Sequence, residues 1–231
     1  MKLQKVTDSA PAAPKRRYDD ACGTAHALDL VGERWALLVM RELMLGPKRF
    51  SDLRADLPGI SANVLTQRLE GLEESRLLVR RRLPPPANAQ VYELTPWGYE
   101  AEPIVQTLGR WAARSPAHDP TLPISASSIM LSFRTMYDRE RARGLGATIG
   151  FRFATDSFLA TAGEDELKVV RGDPAGADAV FVGEPTALAA AVYGKQPLPD
   201  LAASGALAVE GDIAAAERFI SIFELPPKAS V

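Results

Sequence analysis

The chain has 231 residues, 46% of them hydrophobic and 24% charged, with a formal net charge of −2. That is enough polymer for one large domain or two modest ones, and the balance excludes a disordered or fibrous class. One cysteine precludes an internal disulfide, and no apolar run approaches the ~20 residues of a membrane span. The first residues, MKLQKVTDSAPAAPKRRYDD, lack the apolar core of a secretory signal, so the expectation is a cytoplasmic protein with no membrane partner.

Charge divides the chain. Residues 1–118 hold 17 Lys and Arg against 14 Asp and Glu, whereas residues 119–231 hold 10 against 15. This split predicts two domains, with any polyanion bound by the first. Residues 1–17, rich in Ala, Pro and Lys/Arg, are expected to be a disordered arm. Lys15, Arg16 and Arg17 are either phosphate contacts or a solvated tail. A short helix is predicted over Thr24–Val31, ended by Gly32, and a second over Arg34–Leu45, apolar nearly all round and therefore central and buried. Gly46-Pro47 stops it.

The next stretch, Arg49–Arg82, reads as helix, turn, helix and basic strand. Pro58 cannot continue a helix, Gly59 tolerates a positive φ, and Ser61 is a good N-cap. Leu65, Leu69 and Leu72 fall on one face of the second helix. Asn63, Thr66 and Gln67 then project outward as base-edge candidates, because amides pair with adenine and threonine reaches a thymine methyl. Arg68, on the flank, suits a phosphate. Lys48, Arg49 and Ser51 stand at the start of the first motif helix, where a phosphate can be anchored. Strands are predicted over Leu77–Leu83 and Val91–Thr95, joined by Pro84-Pro85-Pro86-Ala87-Asn88-Ala89. Such a hairpin after a helix-turn-helix forms a wing, with Arg80 and Arg82 on one side, Arg81 on the other, and Gln90 near its tip. Spacing alone leaves an ordinary helical hairpin with a solvated face as an equal alternative. From Thr95-Pro96 a helix is expected to reach Arg114, with Ile104, Val105, Leu108, Trp111 and Ala112 as an apolar stripe in need of a partner. A twofold dimer on a palindromic site would supply one.

The segment from Cys22 to Arg82 resembles the HxlR family of bacterial winged-helix transcription regulators. The shared pattern includes a cysteine before the first helix, Ala27-Leu28-Asp29-Leu30-Val31-Gly32 before Arg34-Trp35, and Gly46-Pro47 before Arg49-Phe50. It runs on through Pro58-Gly59-Ile60-Ser61, Gln67-Arg68-Leu69 and Tyr92-Glu93-Leu94-Thr95-Pro96-Trp97-Gly98. The resemblance covers about residues 18–114. It implies a homodimer, formed through the 96–114 helix and the N-terminal helix, that binds double-stranded DNA with the Ser61–Glu74 helix in the major groove. It also implies that Cys22 senses oxidants or electrophiles. A position just before a helix favours the thiolate, although a free cysteine is equally often a small buried apolar residue.

Ser115–Ser125, with three prolines, reads as a linker. Beyond it the predicted order is a helix over 126–143, four short strands, a small helix over Thr186–Tyr193, a strand at Leu207–Val209 and a last helix capped by Asp212. This order, with VFVGEPTALAAAVYGK and GALAVEGDIAAAERFISIF, resembles the sterol carrier protein-like fold. The whole chain is then multidomain: a disordered arm over 1–17, a mostly α winged helix-turn-helix domain over 18–114, a linker over 115–125, and an α+β sterol carrier protein-like domain over 126–228. That fold encloses an apolar ligand tunnel in its family, so Phe151, Phe153, Phe158, Ile220 and Phe223 are either pocket-lining residues for a small apolar ligand or a filled core. With His26 and His118 as the only histidines and no HExxH, phosphate loop or CxxC, no enzyme, metal or cofactor is expected. The combined expectation is a dimeric repressor answering to an apolar ligand or to thiol oxidation. A carrier of apolar molecules whose winged helix makes protein contacts is the alternative.

Overall fold

The computed structural model describes residues 17–163 and 165–230; the expected arm over 1–17 lies almost wholly outside them. The first half of the chain forms α1 (Gly23–Val31), α2 (Ala36–Leu43), α3 (Phe50–Asp56), α4 (Ala62–Glu74), β1 (Leu78–Arg82), β2 (Gln90–Leu94), α5 (Pro96–Tyr99) and α6 (Glu102–Ala113). Val39, Met40 and Leu43 of α2 are fully buried against Leu53, Leu65, Leu69 and Leu72, so α2 is the central helix its composition predicts. It is shorter than expected at its start. Trp35 takes a left-handed conformation, φ 79°, and the first helical turn cannot be built through it.

The strands β1 and β2 pair antiparallel, Arg80 opposite Tyr92 and Arg82 opposite Gln90. Lys48 adds one more bridge through reciprocal backbone bonds with Tyr92 of 3.1 and 2.8 Å. The expected long helix after the wing is broken into α5 and α6. Pro103 is the physical reason: its ring collides with the carbonyl four residues back, which belongs to Tyr99, the last residue of α5. Gly98 of α5 lies so close to β1 that an added Cβ would stand 2.1 Å from the Leu77 carbonyl oxygen, so only glycine fits.

The second half forms α7 (Ala126–Met136), α8 (Arg139–Ala142), β3 (Thr148–Arg152), β4 (Ser157–Ala162), β5 (Leu167–Arg171), β6 (Ala179–Gly183), α9 (Pro185–Val192), α10 (Leu198–Ala203), β7 (Leu207–Gly211) and α11 (Ile213–Ile220). The five strands make one sheet in the order β5-β4-β3-β6-β7, with β3 and β6 parallel and the other pairs antiparallel. The predicted helix over 126–143 ends at Met136. Tyr137 turns extended, and Asp138 restarts the chain as α8 by accepting bonds from the Glu140 and Arg141 amides. The short helix α10, hidden in sequence by Pro197 and Pro199, buries Leu198 and Leu201 three residues apart.

Phe151, Phe158 and Phe223 are fully buried and Phe153 nearly so, while Ile220 is half-buried. Ring centroids lie 4.6 Å apart for Phe133–Phe223, 5.7 Å for Phe151–Phe181 and 6.3 Å for Phe153–Phe158. Rings packed that closely leave no lumen. This corrects the pocket-lining expectation: these side chains fill the core under α7 and α11.

The two cores also interlock. Leu131 of α7 packs into the first core, and Leu45 and Ala113 pack into the second. The Ser125 hydroxyl caps α7, accepting from the Ser128 amide at 3.1 Å, and itself donates to Glu42 Oε1 at 2.7 Å. Arg134 of α7 pairs with Glu102 of α6 at 3.0 Å.

Candidate nucleic-acid interface

The helix-turn-helix is built as its punctuation requires. Gly59 takes φ 92°, the Ile60 amide closes the turn onto the Leu57 carbonyl at 3.1 Å, and Ser61 Oγ accepts from the Val64 amide at 3.2 Å. Leu65, Leu69 and Leu72 anchor α4 on its inner face, and Asn63, Thr66 and Gln67 stand exposed together on its outer face. Buried leucines fix the rotation of α4, so these three polar side chains hold one bearing.

The basic groups around α4 separate into two sets. Arg49 and Ser51 are exposed at the start of α3, where the Arg49 amide donates to Asp52 and Ser51 Oγ donates to the same carboxylate at 2.9 Å. In the wing, Arg82 and Gln90 are exposed, with Arg82 Nε donating to Asn88 Oδ1 at 2.9 Å. Arg80 pairs with Glu73 at 2.9 Å and lies over the Tyr92 ring, tying the wing to α4. On the other strand face Arg81 pairs with Glu93 at 2.8 Å. The strand alternation thus divides the three arginines as expected. Arg68 bonds inward, through Nε to the Arg34 carbonyl at 2.9 Å and through Nη2 to Glu33 at 2.9 Å. It bridges α4 to the α1–α2 turn while remaining partly exposed.

Lys48 is a correction. It was expected at a phosphate, yet it is 3% exposed, with Nζ 3.1 Å from Glu42 Oε2 and ion-paired with Asp56 and Asp156. The cause is Glu42, a carboxylate with no exposure on the central helix α2, which requires a buried counter-charge. Arg41 supplies two further bonds to Glu42 at 2.9 and 2.7 Å. From the second half of the chain, Asp156 pairs with Arg171, whose Nε donates to the Leu45 carbonyl at 3.4 Å. This cluster of Glu42, Lys48, Asp56, Asp156 and Arg171, buried at Glu42 and Lys48 and reaching the surface at Arg171, was missed from sequence. The one visible signal was the acidic residue inside ALLVMREL.

Cys22 is exposed at the N-cap of α1. The nearby Thr24 and Ala25 amides at the helix start, and after them the Thr24 side chain, lower its pKa below the ordinary thiol value, although the thiol makes no capping hydrogen bond. The His26 backbone amide donates to the Cys22 carbonyl at 3.1 Å, the ordinary bond of the first helical turn. Among the described residues no group of three or more His, Cys, Asp or Glu side chains has metal-binding geometry, and no helix is long and apolar enough to cross a membrane.

Two families match this chain: the HxlR-like helix-turn-helix over residues 30–119 and the SCP-2 sterol transfer family over residues 131–224. The HTH-type transcriptional regulator YodB of Bacillus subtilis is 36% identical over 86 residues, spanning 37% of this chain and 77% of YodB. YtfH of Escherichia coli K12, also an HTH-type transcriptional regulator, is 34% identical over 109 residues, spanning 47% of this chain and 86% of its own. The solved reduced form of YodB covers 42% of this chain and 98% of its own at 33% identity. Its TM-score of 0.38 is too low to speak for the whole chain.

Proposed function

Since the chain belongs to the HxlR-like helix-turn-helix family, we propose that it is a homodimeric DNA-binding transcription regulator, a repressor that responds to thiol oxidation or to a small apolar ligand. The observation that carries this reading is the outer face of α4. Asn63, Thr66 and Gln67 form an exposed polar row on a helix locked by three buried leucines, with the Arg82–Gln90 wing beside it. A rigid polar row of this kind suits base edges in a major groove, and the wing and the Arg49–Ser51 helix start suit flanking phosphates. Arg68 and Arg80, held by Glu33 and Glu73, act as braces that set the pose of α4 and the wing.

Dimerisation is supported by the apolar row Ile104, Leu108 and Trp111 on α6, all exposed, together with Leu28 on α1. A twofold pair of α4 helices would then read half-sites about one helical turn of DNA apart, ~34 Å. The thiol of Cys22, exposed and shifted toward thiolate, supports an oxidant response. Expected with these is a cytoplasmic location and no catalytic activity. In bounds, the DNA-binding and dimerisation domain is residues 18–114 and the ligand-responsive domain is 126–228. The test is a mobility shift on DNA upstream of the protein's own gene, repeated across salt concentrations. Saturable, sequence-specific binding whose logarithm falls linearly with the logarithm of salt is expected. Binding that neither distinguishes sequences nor depends on salt would refute the reading.

A further inference from the structure

With the phenylalanine core filled, the space available to a small molecule lies elsewhere. A cavity of about 560 Å³ opens at the junction of the two halves. Leu37 and Leu38 of α2 and Val105, Leu108 and Ala112 of α6 wall it from one side. Ser128, Leu131 and Ser132 of α7, with Tyr193 after α9, wall it from the other. Its size falls within the ~300–1,000 Å³ of small-molecule sites, which combine apolar walls with a few convergent polar groups.

The polar groups here are specific. Ser132 Oγ and the Tyr193 hydroxyl are hydrogen-bonded to each other at 2.7 Å in the cavity wall. Together they can still offer one hydrogen and several lone pairs. Burial pushes the Tyr193 phenol up, against a smaller opposing effect of Ser132, so it stays neutral. The one arginine among the cavity's described lining residues, Arg41, is committed to Glu42 through Nε and Nη2. Asp119, at the rim, has its carboxylate on the Thr121 amide and hydroxyl at 2.9 and 2.6 Å. Arg41 and Asp119 are therefore both committed, and beside them His118 is the other nitrogen side chain of the described wall that can carry charge, so a charged guest finds no free carboxylate or guanidinium to repay its desolvation. The wall that the linker contributes is fastened in place: Lys228 Nζ donates to the carbonyls of Ala113, Ser115 and His118 at 3.2, 3.0 and 3.1 Å.

We propose that this junction cavity is the effector site, and that its ligand is a neutral, largely apolar molecule with one hydrogen-bonding group set against the Ser132–Tyr193 pair. At this volume the guest has on the order of 15–25 non-hydrogen atoms. It touches α2 and α6 on one side and α7 on the other, so its binding energy depends on how the two halves are spaced. Occupancy then biases the placement of α6, and through it the spacing of the two reading helices. The proposal rests on the regulatory reading above for its biological meaning, but the cavity is tested independently of DNA.

The experiment titrates the full chain with N-phenyl-1-naphthylamine, an uncharged aromatic amine that fluoresces when desolvated. Saturable enhancement at one probe per chain is expected. Ala112→Phe on α6 and Ser128→Leu on α7 fill the cavity from opposite walls, and each should weaken binding at least tenfold while circular dichroism and melting temperature stay near those of the parent. Two variants guard against one misfolding. Saturable binding that both folded variants leave unchanged overturns the proposal, as does the absence of saturable binding. If a second copy fills the cleft instead, the signal is absent where the protein sedimented as a dimer and gained on dilution to monomer, which also overturns it. A parallel mobility shift keeps the outcomes separate. Probe binding without operator binding removes the regulator reading and leaves the site, whereas operator binding without probe binding does the reverse.

Discussion

Replacing Lys48 by methionine separates a buried structural role from a phosphate contact, and its effect can be sized from the surroundings. The aliphatic stem is conserved in length, so the change removes mainly the ammonium. That ammonium serves Glu42, which is completely buried, and it also neutralises Asp56 and Asp156. Removing one partner of a buried pair costs roughly 3–5 kcal/mol, because the other charge is left uncompensated. Glu42 keeps Arg41 and Ser125, which places the expected loss near the low end, about 3 kcal/mol. For a chain of this size that corresponds to a fall in Tm of roughly 6–12 °C. Differential scanning calorimetry measures it, and the double variant Lys48→Met with Glu42→Gln should recover much of the loss, since the stranded charge is gone. The salt dependence of DNA binding should keep its slope. An unchanged Tm together with a salt slope shallower by about one unit, the behaviour of a lost phosphate contact, would refute this account of Lys48.

Three further outcomes are expected. Asn63→Ala and Gln67→Ala should each weaken specific binding by about 1–3 kcal/mol with Tm unmoved, whereas Arg82→Ala should weaken all sequences alike and flatten the salt slope; quantitative mobility shifts distinguish the two patterns. Leu108→Glu on α6 should convert dimer to monomer in sedimentation velocity with little loss of Tm, because Leu108 is 45% exposed and its burial depends on a partner. Alkylation of Cys22 by iodoacetamide should reach its half-maximal rate at a pH below the ordinary thiol range, since the Thr24 and Ala25 amides stabilise the thiolate. Thr24→Val, which removes the hydroxyl contribution but keeps both amides, should move that midpoint only partly back.

Much of the proposed reading face was legible in the chain itself. Pro58, Gly59 and Ser61 announce the turn and cap, and the 65–69–72 leucine spacing sets which way Asn63, Thr66 and Gln67 point. The second half was legible element by element, because period-two strands and a capped last helix carry local signals. Two helix breaks escaped that reading. One is written in Pro103, and the other, at Tyr137, is marked only by Asp138, the N-cap of the helix that follows.

Local order and local faces were therefore decided by the sequence, through hydrophobic period, turn residues and caps acting within a few positions. The tertiary structure decided where charge and space went. Lys48 turned inward because its counter-charges come from positions 42, 56 and 156, separations at which no periodicity speaks. The phenylalanines closed on one another, and the cavity opened instead between α6 and α7, walls brought together only when the two cores interlocked through Leu131, Leu45 and Ala113. Packing at a distance settles both, since a buried charge or a void is defined by all its neighbours at once.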